Sequence, residues 1–88
     1  MRENNTFNFN QICESNSFDY NFLTDRLSRN VKGLRKSGDF SREVFSELCL
    51  LSTYTIKNIE EGKADKISLL SILKIACFFQ IPFSDLFR

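Results

Sequence analysis

The sequence predicts an all-α domain of five helices behind a polar N-terminal arm. Three observations carry that prediction. Apolar residues from Leu23 onward recur at helical spacing, Ser41, Ser52 and Ser68 stand at helix-start positions, and Gly38 and Gly62 stand where helices should close. Eighty-eight residues, 42% apolar and 26% charged, with three glycines and one proline, suit one small domain better than a disordered or fibrous chain. The expected division is an arm over residues 1–21 and a folded unit over residues 22–88.

The arm carries six asparagines and no glycine or proline, with Phe7 and Phe9 alternating and Ile12 following less regularly. Two readings stand for it: a short strand that pairs across a dimer or lies on the domain, and a leader that gains order only on contact. From Phe22 the period changes. Leu23, Leu27, Val31 and Leu34 make an apolar stripe, and Arg26, Arg29, Lys32, Arg35 and Lys36 fall on the complementary arc against Asp25 alone. Although the net charge is only +1, this one helix is basic enough to face phosphate. It should end near Ser37, with Gly38 taking the left-handed closing conformation.

Phe40 and Ser41 then announce a second helix, with Ser41 as N-cap, Phe45 placed to staple onto Phe40, and Val44, Phe45, Leu48 and Cys49 expected to point inward. After Leu50 and Leu51, Ser52 caps a third helix that runs to Glu61 and closes at Gly62. Two short capped helices joined by about three residues form a helix-turn-helix. A polar link over residues 63–66 leads to Ser68, which caps a run with Leu69, Ile72, Leu73, Ile75, Ala76 and Phe79 at core spacing. Pro82 cannot continue that helix and fits the first turn of a fifth, over residues 82–87.

The chain has no histidine, which removes the commonest general base, the usual nucleophilic triads and zinc sites that need imidazole. No carboxylate pair or activated nucleophile can be placed in a cleft. The expectation is therefore no enzyme, no cofactor, no metal and no small-molecule substrate. Cys13, Cys49 and Cys77 form no CxxC pair; Cys49 and Cys77 read as small buried hydrophobes in a reducing compartment, and Cys13 as an exposed thiol. No run approaches 18 apolar residues, and no secretory signal pattern is present. The expected setting is the cytoplasm, with no membrane partner.

With Ile56 and Ile59 anchored in a core, helical geometry sends Tyr54, Lys57, Asn58 and Glu61 to the other side of the third helix, with Thr53 at the leading edge. Over residues 23–87 the order of residues resembles the Xre/Cro-type, lambda repressor-like helix-turn-helix family. The likeness is carried by Leu34-Arg35-Lys36, Phe40-Ser41-Arg42-Glu43, Thr55-Ile56, Ile59-Glu60-Glu61-Gly62-Lys63, and Leu69 through Lys74-Ile75-Ala76 to Leu86-Phe87. The resemblance implies a sequence-specific transcriptional regulator of bacterial or phage origin: a Cro or repressor, a restriction-modification controller, or an antitoxin-like autoregulator. Its partner would be double-stranded operator DNA, bound as a homodimer across an inverted repeat. Thr53, Tyr54, Lys57 and Asn58 would read bases, Ser41, Arg42, Ser52 and Lys63 would meet phosphate, and Arg35 and Glu60 would form a structural ion pair.

The chain also departs from that pattern. Leu50 stands where the family commonly has glycine, so a left-handed backbone there would cost on the order of 1–2 kcal/mol. Arg42 replaces the usual glutamine, Glu61 brings negative charge close to phosphate, Ser46 replaces alanine, and Ile67 stands in place of a proline. Leu70, Cys77, Phe78 and Phe83 are apolar where relatives are often polar, which suggests a dimer interface; the competing reading folds the arm back over them in a monomer. From a different class, the alternative function is a protein-interaction module that keeps the scaffold and has lost DNA binding.

Overall fold

A computed structural model describes residues 20–88. The arm, including Phe7, Phe9, Ile12 and Cys13, lies outside the described residues. Within them the chain is all-helical: α1 (Tyr20–Ser37), α2 (Arg42–Leu48), α3 (Thr53–Glu60) and α4 (Leu69–Phe79), with 3₁₀ turns at Ala64–Lys66 and Phe83–Phe87. The first helix thus begins two residues ahead of the expected boundary. The fifth helix expected over residues 82–87 is a 3₁₀ turn, with Pro82 as its extended N-cap residue.

The starts of α2, α3 and α4 are explained by their caps. Ser41 Oγ accepts from Val44 N–H at 3.1 Å, Ser52 Oγ from Thr55 N–H at 3.0 Å, and Ser68 Oγ from Ser71 N–H at 3.2 Å, satisfying donors that have no partner inside the helix. The Phe40 and Phe45 rings stack at 6.3 Å, the expected staple over the start of α2.

All four α-helices end in one closure, in which the N–H two residues past the turn donates back five positions and the N–H before it donates back three. The bonds are Phe40 N–H to Arg35 O and Asp39 N–H to Lys36 O, then Leu51 to Ser46 with Leu50 to Glu47, Lys63 to Asn58 with Gly62 to Ile59, and Ile81 to Ala76 with Gln80 to Cys77. The left-handed residue is Asp39, Leu50, Gly62 and Gln80 in turn, so only one of the four is glycine. The expectation for Gly38 is corrected: the left-handed residue is its neighbour Asp39. Gly38 serves a different need, because a Cβ there would lie 2.5 Å from Phe40 Cε2. Leu50 does adopt the left-handed conformation, at φ 59°.

The core draws on all four α-helices and the last turn: Leu27 and Val31 of α1, Phe45 and Cys49 around α2, Ile56 and Ile59 of α3, Ile72, Ile75 and Ala76 of α4, and Leu86. Beside it Phe78 and Phe79 meet edge to face at 5.0 Å, and Phe79 reaches Phe45 at 5.7 Å. Five residues expected inside are exposed instead: Val44, Leu48, Leu69, Leu73 and Cys77. Both helices seat a narrow seam, Phe45 and Ser46 on α2 and Ile72, Ile75 and Ala76 on α4, and the flanking apolar residues lie outside it. The C-terminal turn is tied to α1 by Asn30 Nδ2, which donates to Leu86 O at 2.8 Å and Arg88 O at 3.0 Å. Among the described residues no helix is long and apolar enough to cross a membrane.

Candidate nucleic-acid interface

α2 and α3 pack on each other through a four-residue connection, residues 49–52. Ser46, buried on α2, permits the close approach, and its hydroxyl donates to Glu43 O at 2.8 Å. That hydroxyl lies 3.3 Å from Thr53 Oγ1 at the start of α3. Because the single Ser46 proton is already committed to Glu43 O, Thr53 is the donor in the second bond.

The side chains exposed on α3 and its cap are Thr53, Tyr54, Lys57 and Glu61, with Tyr54 63% exposed. At about 100° per residue they span one narrow arc. Asn58 does not belong to it: it is only 2% exposed, and its base-reading role is corrected to a buried position. On the helical wheel it sits at the flank of that arc, beside half-buried Thr55. Its backbone carbonyl closes α3 by accepting from Lys63 N–H, and its amide makes no hydrogen bond among the described residues.

Beneath this arc lies the ion pair implied by the resemblance. Arg35 Nε donates to Glu60 Oε2 at 2.6 Å and Arg35 Nη2 to Glu60 Oε1 at 3.1 Å, with the carboxylate side chain fully buried. Arg42 adds a third member that the sequence reading missed, its Nε donating to Glu60 Oε1 at 3.1 Å. No spacing rule signals this contact, because it depends on how α2 is set against α3. Two guanidiniums on one carboxylate leave a net positive charge, and Arg42, 31% exposed, carries it to the surface beside the start of α2. Burial alone would raise the Glu60 pKa, but the hydrogen bonds and charges of Arg35 and Arg42 outweigh it and hold the carboxyl below its ordinary value. Arg35 is shifted up by the hydrogen bond to Glu60, against the opposing effect of burial.

The other expected contact residues are placed less simply. Ser41 and Ser52 spend their oxygens as N-caps, and Ser52 Oγ also meets Thr55 Oγ1 at 2.9 Å. Lys63 is exposed but paired with Glu61 at 3.3 Å, so part of its charge is already answered. Among the expected interface residues, Leu70 is 61% and Phe83 37% exposed and Cys77 is exposed, whereas Phe78 is half-buried among Phe40, Phe45 and Phe79. Phe78 thus contributes to the aromatic cluster rather than to a free face. Among the described residues no three His, Cys, Asp or Glu side chains gather to hold a metal ion. Comparison with protein-family models, with curated proteins and with solved structures returned no match.

Proposed function

We propose that the chain is a sequence-specific DNA-binding transcriptional regulator of the lambda repressor-like helix-turn-helix kind, acting as a dimer on an inverted-repeat operator. The observation that carries the reading is the α2–turn–α3 unit. It exposes Thr53, Tyr54 and Lys57 on one narrow arc and anchors Arg42 through Glu60 at its edge. A single helix of this kind fits the major groove, where Lys57 can donate to guanine and Tyr54 and Thr53 can touch thymine. Arg42 and, in competition with Glu61, Lys63 supply the phosphate contacts that set register. Leu70, Cys77 and Phe83 form the dimer face.

The test is selection from a random duplex library with the full chain, followed by titration of the enriched site at two salt concentrations. A palindromic consensus whose affinity falls steeply with salt is expected, since each phosphate contact releases counterions. Folded protein that enriches no duplex even at low salt would overturn the reading. A specific observation favours the second reading, a protein-interaction module: Val44, Leu48, Leu50, Leu69, Leu70 and Leu73 are all exposed. Failure of DNA selection together with a stable protein complex would establish that reading in its place.

A further inference from the structure

The exposed arc of α3 is poor in hydrogen-bonding groups suited to bases. Two-point recognition of adenine needs a side-chain amide, and the commonest recognition of guanine uses arginine or lysine. Asn58, the only amide on α3, is 2% exposed, and α3 contains no arginine. The Thr53 hydroxyl donates its proton to Ser46 Oγ, the Thr55 hydroxyl is paired with Ser52, and Glu61 is paired with Lys63. Lys57 is the one uncommitted donor group on the arc apart from the Tyr54 phenol. What remains is apolar: the Tyr54 ring, 63% exposed, and the Thr53 methyl group beside it. The one apolar feature that a base pair displays in the major groove is the C5-methyl of thymine.

We infer that the chain reads thymine methyl groups in its DNA sites, with the Tyr54 ring and the Thr53 methyl as specificity-determining contacts. The inference rests on the DNA-binding reading above and deepens it. Lys57, with three donors, can add a guanine contact at one base pair, and the thymine methyls carry discrimination at the positions facing Tyr54 and Thr53.

The experiment uses the full chain and the duplex enriched by selection. Each thymine of a half-site is replaced singly by deoxyuridine, which removes the C5-methyl and leaves base pairing intact. At least one position per half-site should lose about fourfold in affinity, the effect of one buried carbon. Placing 5-methylcytosine against guanine at that position should recover part of the loss that unmethylated cytosine causes. The penalty for deoxyuridine should vanish in Tyr54→Ala or Thr53→Ser and persist in Tyr54→Phe, which keeps the ring. Circular dichroism shows whether each variant is folded, and the exposure of both side chains predicts that it is. Equal affinity for thymine and deoxyuridine at every position would overturn the inference while leaving DNA binding intact, and so would a penalty that survives both Tyr54→Ala and Thr53→Ser. Absence of salt-dependent binding to any duplex is a different result, one that removes the DNA-binding reading and this inference with it.

Discussion

At the scale of single residues, burial decides which groups are chemically available. Cys49 is 3% exposed, and burial pushes its thiol pKa up to about 11, so it is protonated and shielded at neutral pH; Cys77 lies exposed on α4. In a Cys13→Ser background, a maleimide at neutral pH should therefore label one thiol quickly and the second only on unfolding, and rapid labelling of two would contradict the placement of Cys49. Asn58 is the other case. A buried amide without a partner costs about 1–3 kcal/mol, whereas an apolar side chain of similar shape carries no such penalty. Asn58→Leu should raise stability by about 1 kcal/mol in urea unfolding and leave the preferred DNA sequence unchanged. A changed consensus would show that Asn58 reaches bases after all. The substitution is informative because polar character and helical spacing alone place Asn58 among the readers, and only its burial removes it.

At the scale of elements, the four identical helix closures set up a comparison within one molecule. Three of the four left-handed positions hold Asp39, Leu50 and Gln80, and each pays a steric penalty that Gly62 avoids. Leu50 is the clearest case, since its side chain is 77% exposed and contributes little burial. Leu50→Gly should relieve about 1–2 kcal/mol of strain against a loss of about 0.5–1 kcal/mol in unfolded-chain entropy, leaving a modest net gain. Thermal unfolding of the variant tests this, and a lower midpoint would mean that the leucine makes a contact worth more than its strain. The helices themselves were legible in the sequence because caps and 3.6-residue periodicity are local signals. The closure at Asp39 was not. Gly38 stands one residue early because the Phe40 ring occupies the space where its Cβ would be, a tertiary demand that the string Ser37-Gly38-Asp39 does not reveal. Val44, Leu48, Leu69 and Leu73 lie outside the core for a related reason: periodicity marks an apolar stripe but not how wide a seam the neighbouring helix covers. The Arg35–Glu60 pair came from resemblance, and the capping serines from local pattern; Arg42 as the third member needed the crossing of α2 on α3.

At the scale of the whole molecule, Glu60 links three helices. Its carboxylate takes Arg35 from α1 and Arg42 from α2, and its backbone carbonyl accepts from Ser28 Oγ at 2.5 Å, so α3 is bonded to both neighbours at one residue. Arg35 extends the link, because its Nη1 donates to Phe40 O at 2.8 Å at the end of the α1–α2 connection. Removing the carboxylate would leave two guanidiniums facing a cavity. Breaking such a buried pair costs about 3–5 kcal/mol, a large share of the 5–15 kcal/mol that holds a small domain folded. Glu60→Ala is therefore expected to unfold cooperatively at a much lower urea concentration, with all helices lost together. The same residue sets an acid limit. Its folded pKa lies below the ordinary 4.5 that the unfolded chain retains, so the unfolded state takes up the proton first as pH falls. The stabilisation is complete above about 4.5 and is lost progressively as pH falls from there through the folded value. Glu60→Gln, which keeps the shape and cannot titrate, isolates this effect: wild type should exceed it most in urea stability at pH 7, and the difference should narrow toward pH 3. A difference constant across that range would show that Glu60 acts through packing alone, and that the charge shared by Arg35 and Arg42 contributes nothing to folding.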